Sequence, residues 1–470
     1  MNNALGLPVV IQGGMGVAVS GWELAHTVAS HGHLGVVSGT ALDTVVARRL
    51  QNGDPGGHMR RALAHFPYPQ VTEKLLAAWY LPEGRNGKPY RPMHRISLKS
   101  NVEHDQLVAA ANFAEVWLAK QSGGKVGINF LEKLQTATPA ALYGAMLAEV
   151  DVVLMGAGIP REIPQLIRDF AAGSVGSLTV DADRPNDVAA PKLSFDPVAA
   201  FGVAPKLKPP KFLAIVTAEV LANYLARSEI TRPDGFVVEH WMAGGHNAPP
   251  RKLQDTESGF GPLDEVNLEK MRAVGLPFWL AGGRATAAAV KDAIDHGAAG
   301  VQVGSLFALS NESGMRDDLR QQMLQAAREK KLKVRTDHRA SPTGFPFKVV
   351  ELPGTVGMAE TFKARPKLCD LGYLRSNTIA EDGKVISKCA SEPEKPFLRK
   401  GGDEAEIEGR ICLCNGLLAT IGLGQERADG YHEAPLLTLG ATTSDVEIML
   451  QLYPTGWSAK DVLDLLTSKI

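Results

Sequence analysis

The sequence predicts an α/β fold, a (β/α)8 TIM-type barrel with an added C-terminal region. Three observations carry that prediction. Eight short apolar runs recur through the first 310 of the 470 residues. The runs are continuous rather than alternating, as expected of strands buried on both faces of a parallel sheet. Helix-like segments separate them, and parallel neighbours need such crossovers. A doubly wound open sheet has about six strands and would leave two units over.

The first run, residues 8–12, ends in the turn Gly13-Gly14-Met15-Gly16. A helix through residues 22–30 leads to the second run, 34–38. The next four runs cover 125–130, 150–155, 212–216 and 235–239, and the last two cover 277–281 and 300–303. Crossover helices are expected at 139–148, 161–172, 218–228, 263–274 and 285–296. The first of these has Thr138 as its expected N-cap and Pro139 at its first position.

Two stretches stand outside the repeat. Residues 41–99, rich in Pro, Gly, Arg and His, form an excursion on the second strand. Residues 173–211, with six prolines, read as a lid-like loop between the fourth and fifth strands. Each leaves near the C-terminal end of a strand, where barrel enzymes keep their chemistry, so each either shapes a substrate site or is a plain surface insertion. A charged amphipathic helix over 315–331 closes a barrel domain spanning 1–334. A mixed region of unknown role, 335–470, follows and ends in a helical stretch over 444–470.

Bulk properties exclude some classes. The formal net charge is -1 and aromatics are 6% of the chain, so nothing supports nucleic-acid binding. No run of about 18 apolar residues reads as a membrane span. The opening Met1-Asn2-Asn3-Ala4-Leu5 lacks the basic start and apolar run of a signal peptide. Four cysteines make no disulfide framework, and a cytoplasmic location is expected. Cys369, Cys389, Cys412 and Cys414 all fall in the C-terminal region. Their gaps do not match zinc spacing, since Cys412 and Cys414 are separated by one residue and the others lie far apart. Their clustering invites a metal or iron–sulfur reading, but ordinary buried thiols are expected and no metal is assigned.

The chemistry-bearing signals are glycine turns. Gly282-Gly283 follows the seventh strand and Gly304-Ser305 the eighth, the two loops that commonly bind phosphate in barrels. Glycine lets the backbone approach an anion, and bare N–H groups at a helix start face it. Ser305 adds a hydroxyl. Gln12-Gly13-Gly14-Met15-Gly16 offers backbone to lie against a flat ring, and the amide of Asn129 suits a heterocycle edge with both donors and acceptors. Tight turns without a ligand are the alternative reading.

Together these pieces resemble the nitronate monooxygenase family, formerly the 2-nitropropane dioxygenases, which also includes FMN-dependent enoyl-acyl-carrier-protein reductases. The matching residues are Ile11-Gln12-Gly13-Gly14-Met15-Gly16, Gly127-Ile128-Asn129, Ala243-Gly244-Gly245-His246, Ala281-Gly282-Gly283-Arg284-Ala285-Thr286 and Val301-Gln302-Val303-Gly304-Ser305-Leu306-Phe307. The resemblance covers about residues 5–310. It implies FMN at the C-terminal face of the barrel, with Gln12, Gly13, Gly14, Met15, Gly16 and Asn129 against the flavin. Gly282, Gly283, Gly304 and Ser305 would hold the phosphate, and Gly244 and Gly245 would shape the turn that carries His246 to the reacting face. The chain departs from the family at Trp241-Met242, where an acidic residue is usual, at Pro249-Pro250, and in its greater length.

An imidazole at His246 suits proton abstraction from a nitroalkane carbon, or donation to a substrate carbonyl. His240 reads as structural, and Glu239 as able to orient a neighbour. Three functions follow. The first is FMN-dependent oxidation of nitronates or similar small carbanions with oxygen, giving a carbonyl compound and nitrite. The second is FMN-dependent, NAD(P)H-using reduction of enoyl thioesters, on a carrier protein or free, or of quinones. The third is a barrel that binds a phosphorylated ligand without redox chemistry. A small-molecule substrate is expected throughout, and a homodimer is one assembly open to the chain.

Overall fold

A computed structural model describes residues 4–94, 97–98 and 101–470. The signal-peptide reading at Met1-Asn2-Asn3, and positions 95, 96 and 99 of the excursion over 41–99, lie outside the described residues. Eight parallel strands close into a barrel: β1 (Val10–Gln12), β2 (Leu34–Ser38), β3 (Val126–Leu131), β4 (Val152–Gly156), β5 (Lys211–Val216), β6 (Gly235–Glu239), β7 (Phe278–Ala281) and β8 (Gly300–Val303). Each pairs with its sequence neighbours, and β8 closes on β1 with Gln12 opposite Val303. The chain is therefore a TIM barrel with an added C-terminal region.

Continuous apolar runs suit this fold because each strand has two buried faces. Ile11, Leu34, Val36, Val152, Leu154, Leu213, Val237 and Trp279 fill the barrel interior. Their sequence neighbours, such as Val10, Val37, Val153 and Phe236, pack under the helices. Trp279 fits inside because its indole N–H reaches the Pro8 carbonyl at 3.0 Å.

The crossover helices are α1 (Trp22–Ser30), α2 (Val102–Lys120), α3 (Thr138–Leu147), α4 (Ile163–Ala171), α5 (Glu219–Ala226), α6 (Leu268–Ala273) and α7 (Ala287–Asp295). Thr138 is not the N-cap of α3. Ala137 holds that position, and the Thr138 hydroxyl donates to the Leu134 carbonyl. Pro262–Asp264 forms a separate turn of 3-10 helix, so α6 starts later than the expected 263.

The excursion after β2 is largely helical, through Leu42–Gln51, His58–Leu63 and Pro69–Trp79, and it packs against α2. The stretch over 173–211, expected as a lid-like loop between the fourth and fifth strands, contains regular structure. Its strands Gly176–Thr179 and Lys192–Phe195 pair as a hairpin, and the backbone at Asp183 bridges to Thr378 of the C-terminal region. The segment over 335–470 is no separate body. Its hairpin of Lys333–Asp337 with Phe347–Glu351 packs on the barrel, and its apolar side chains join the same core as the crossover helices. The helical end is two helices, Ser444–Leu452 and Ala459–Thr467, separated by a turn containing Pro454 and Gly456. No helix among the described residues is long and apolar enough to cross a membrane.

Candidate active site

The C-terminal ends of all eight strands open into one cavity of about 240 Å³. Every residue assigned from the sequence to the flavin or to catalysis lines it except Gln12: Gly13, Gly14, Met15, Gly16, Asn129, Gly244, Gly245, His246, Gly282, Gly283, Gly304 and Ser305. Gln12 is fully buried beneath it. Its side-chain oxygen accepts from the Val36 backbone N–H at 3.0 Å, and its Nε2 donates to the Val36 carbonyl at 3.1 Å. The Gln12 amide therefore clamps β1 to β2 and is not presented to the cavity.

Two glycine turns form a cradle on one side. Gly282 and Gly283 both take left-handed backbone conformations, with φ of 86° and 66°, which only glycine adopts without strain. A Cβ at Gly282 would lie 3.0 Å from the Ala243 nitrogen and the His240 carbonyl oxygen. Among the described residues, no protein acceptor takes the backbone N–H of Gly283, Gly304 or Ser305. Beside the cradle, on the turn after β1, a Cβ at Gly14 would lie 2.3 Å from the Asn129 Cβ, so the chain runs directly against that side chain. Next to it, Gln302 of β8 lines the cavity, and its buried Oε1 has no partner among the described residues. Bare amides over one end and an unsatisfied amide oxygen along the wall fit a ligand with an anionic tail and a flat polar head.

His246 lies on the turn after β6. Its Nε2 is 2.8 Å from the Ser341 hydroxyl, which is 2.8 Å from that of Thr343. The Phe347 ring meets it edge-on, with centroids 4.9 Å apart. Burial, helped by the positive charge of Lys133, pushes the imidazole pKa down to about 3, so the ring is neutral at physiological pH. Glu239, at the end of β6, moves the other way. Burial raises its carboxyl to about 8 against the pull of Lys348. Lys348 is itself lowered to about 8 by burial, and donates to the Thr336 hydroxyl beside the Trp241 and Phe260 rings. Trp241 stacks on Phe260 with centroids 5.4 Å apart. His240 pairs with Glu265 at 2.8 Å, a structural contact.

Part of the cavity wall comes from the C-terminal region. Thr438 accepts from the Gly245 N–H at 2.8 Å, Gly440 donates to the Ser305 hydroxyl at 2.9 Å, and Ala441 donates to the Met242 carbonyl at 2.8 Å. This segment straps the turn after β6 to the one after β8. Its leucines, with Leu374, Leu413 and Leu417, make that side of the cavity apolar. Gln302 had a readable signal, a polar residue inside an otherwise apolar strand; the strap had none, because its partners lie more than 100 residues away.

The decisive turns, from Gly244 to Ser305, fall within one matched stretch. Residues 174–345 match the nitronate monooxygenase family model. Among solved structures, the chain is similar to FabK from Thermotoga maritima at 18% identity, covering 73% of this chain and 71% of that one with a TM-score of 0.41. It is also similar to nitroalkane oxidase from Streptomyces ansochromogenes at 15% identity, covering 98% of this chain and 96% of that one with a TM-score of 0.45. No curated protein matches the chain.

Proposed function

We propose that the chain is an FMN-dependent oxidoreductase that oxidises nitronates or similar small stabilised carbanions. The observation that carries this reading is a neutral His246 in the wall of a cavity whose far end is a bare-amide cradle. The N–H groups of Gly283, Gly304 and Ser305 would hold the phosphate. Gly13 to Gly16, Asn129 and Gln302 would hold the ring system. When bound, FMN supplies the electron acceptor that no side chain offers.

The protein's own work is binding and proton control. An imidazole whose pKa is held near 3 is a weak base toward a carbon acid. It is a good neutral hydrogen-bond donor to an oxygen that carries negative charge. The substrate that suits it arrives already deprotonated, which favours a nitronate over its parent nitroalkane. Among the described residues Nδ1 has no protein partner, so with Ser341 holding Nε2 the ring can present Nδ1–H to the cavity.

A second reading rests on the apolar wall. Leu374, Leu413, Leu417, Leu436 and Leu439 could cover an acyl chain, which favours an enoyl thioester reduced at the expense of NAD(P)H. Oxygen uptake and nitrite release with a small nitronate test the first reading, with the neutral nitroalkane as control. Turnover of the nitronate well above that of the nitroalkane is expected. Absence of both signals, with NAD(P)H-dependent loss of an enoyl thioester, would move the assignment to the second reading.

A further inference from the structure

All four cysteines of the chain converge. Cys369, Cys389, Cys412 and Cys414 come from three separate segments of the C-terminal region, and all line one small internal cavity behind the main one. No disulfide links any pair. Together the four residues line a gap of about 10 Å³.

We propose that these four cysteines ligate an iron–sulfur cluster. Three features favour that group over a zinc ion or inert thiols. First, among the described residues no three His, Cys, Asp or Glu side chains are arranged to hold a single ion, which speaks against mononuclear zinc, whereas a cluster spreads its four thiolates over several metal atoms. Second, the sulfurs are met by hydrogen-bond donors. The backbone N–H of Ser391 reaches Cys389, that of Asn415 reaches Cys412 and that of Leu374 reaches Cys414. Asn415 Nδ2 also lies 3.6 Å from the Cys412 sulfur. Such bonds stabilise thiolates and tune cluster potentials.

Third, Cys412 sits at the N-cap of the helix Leu413–Thr420, where the helix dipole favours negative charge; the nearby Arg365 guanidinium is already paired with Glu433. The cluster site also has a position that suits redox chemistry. Leu374, Leu413 and Cys414 line both cavities, so a single layer of side chains separates the two.

The test uses the full chain, purified without oxygen or reconstituted with ferrous iron and sulfide. Iron, acid-labile sulfide and zinc are quantified, and a low-temperature EPR spectrum is taken after dithionite reduction. Equal iron and sulfide, at about four of each per chain for a cubane cluster, with the EPR signal of a reduced cluster, are expected. The double variant Cys412→Ser/Cys414→Ser should lose both while keeping its helical circular dichroism. Stoichiometric zinc, or wild-type protein that takes up neither iron nor sulfide, overturns the proposal whether or not the variant folds. Flavin is measured separately by extraction, so a flavin-free chain that binds iron and sulfide would overturn the flavin reading and leave this one standing.

Discussion

The Nε2 of His246 and the hydroxyl of Ser341 stand 2.8 Å apart, so a hydrogen bond joins the turn after β6 to the C-terminal region across the cavity wall. His246 is thereby held in one orientation by a residue outside the barrel. Replacing His246 with Ala should leave ligand binding at the glycine cradle intact and lower kcat by about 10²-fold, the usual loss for a single oxyanion donor. Ser341→Ala frees the ring and should cost about tenfold, corresponding to roughly one hydrogen bond. Steady-state kinetics on both variants check this. Equal rates for wild type and His246→Ala would remove the residue from the mechanism.

The low pKa of His246 fixes its pH signature. The folded value near 3 lies below the ordinary 6.5, so the unfolded chain binds the proton more readily. The stability this group contributes is full above pH 6.5 and is lost as pH falls toward 3. Denaturant titrations of wild type and His246→Gln between pH 4 and 7 should therefore diverge, with wild type losing more stability on the acid side.

Glu239 has the opposite sign. Its folded value of about 8 lies above the ordinary 4.5, so its contribution is full below pH 4.5 and declines as pH rises through 8. Glu239→Gln should flatten that decline, measured as the difference in unfolding free energy between pH 5 and pH 8. In kinetics, His246 should contribute no ionisation between pH 5 and 8, and ionisation near pH 8 should report the coupled pair Glu239 and Lys348.

The cradle glycines should differ in severity. Gly14→Ala places a Cβ 2.3 Å from Asn129, and Gly282→Ala adds left-handed strain to a 3.0 Å contact with backbone. Both should abolish flavin retention. At Gly304 the nearest atom is the Met15 sulfur at 3.4 Å, the end of a flexible side chain, so Gly304→Ala should bind flavin nearly as wild type. Flavin content after gel filtration ranks the three.

Trp457 ties the last helices to the barrel. It is buried, and its indole N–H donates to the Leu306 carbonyl at 2.8 Å, next to the turn after β8. Trp457→Ala should destabilise the protein by about 3–5 kcal/mol, read from urea denaturation.

The barrel is legible in the sequence because parallel strands are apolar on both faces. Val152-Val153-Leu154 needs no alternation, and Leu34–Ser38 and Gly300–Val303 coincide with the runs read from residues alone. The glycine turns are legible because left-handed backbone restricts the residue type, as at Gly282 and Gly283. What escapes is contact between distant segments. Nothing near Gln12 signals that its amide is spent on Val36, and nothing near Ser341 or Gly440 signals that each completes a barrel turn. The same holds for Cys369, Cys389, Cys412 and Cys414: they share the C-terminal region in sequence, and only the fold brings them to one cavity.

Anaerobic reduction of the purified protein tests the central claim most directly. The account predicts a chain that retains FMN and whose flavin absorbance bleaches rapidly on mixing with a nitronate, and not with NAD(P)H. Bleaching by NAD(P)H alone would contradict the nitronate assignment, and a colourless protein that takes up no FMN would contradict the flavoenzyme assignment itself.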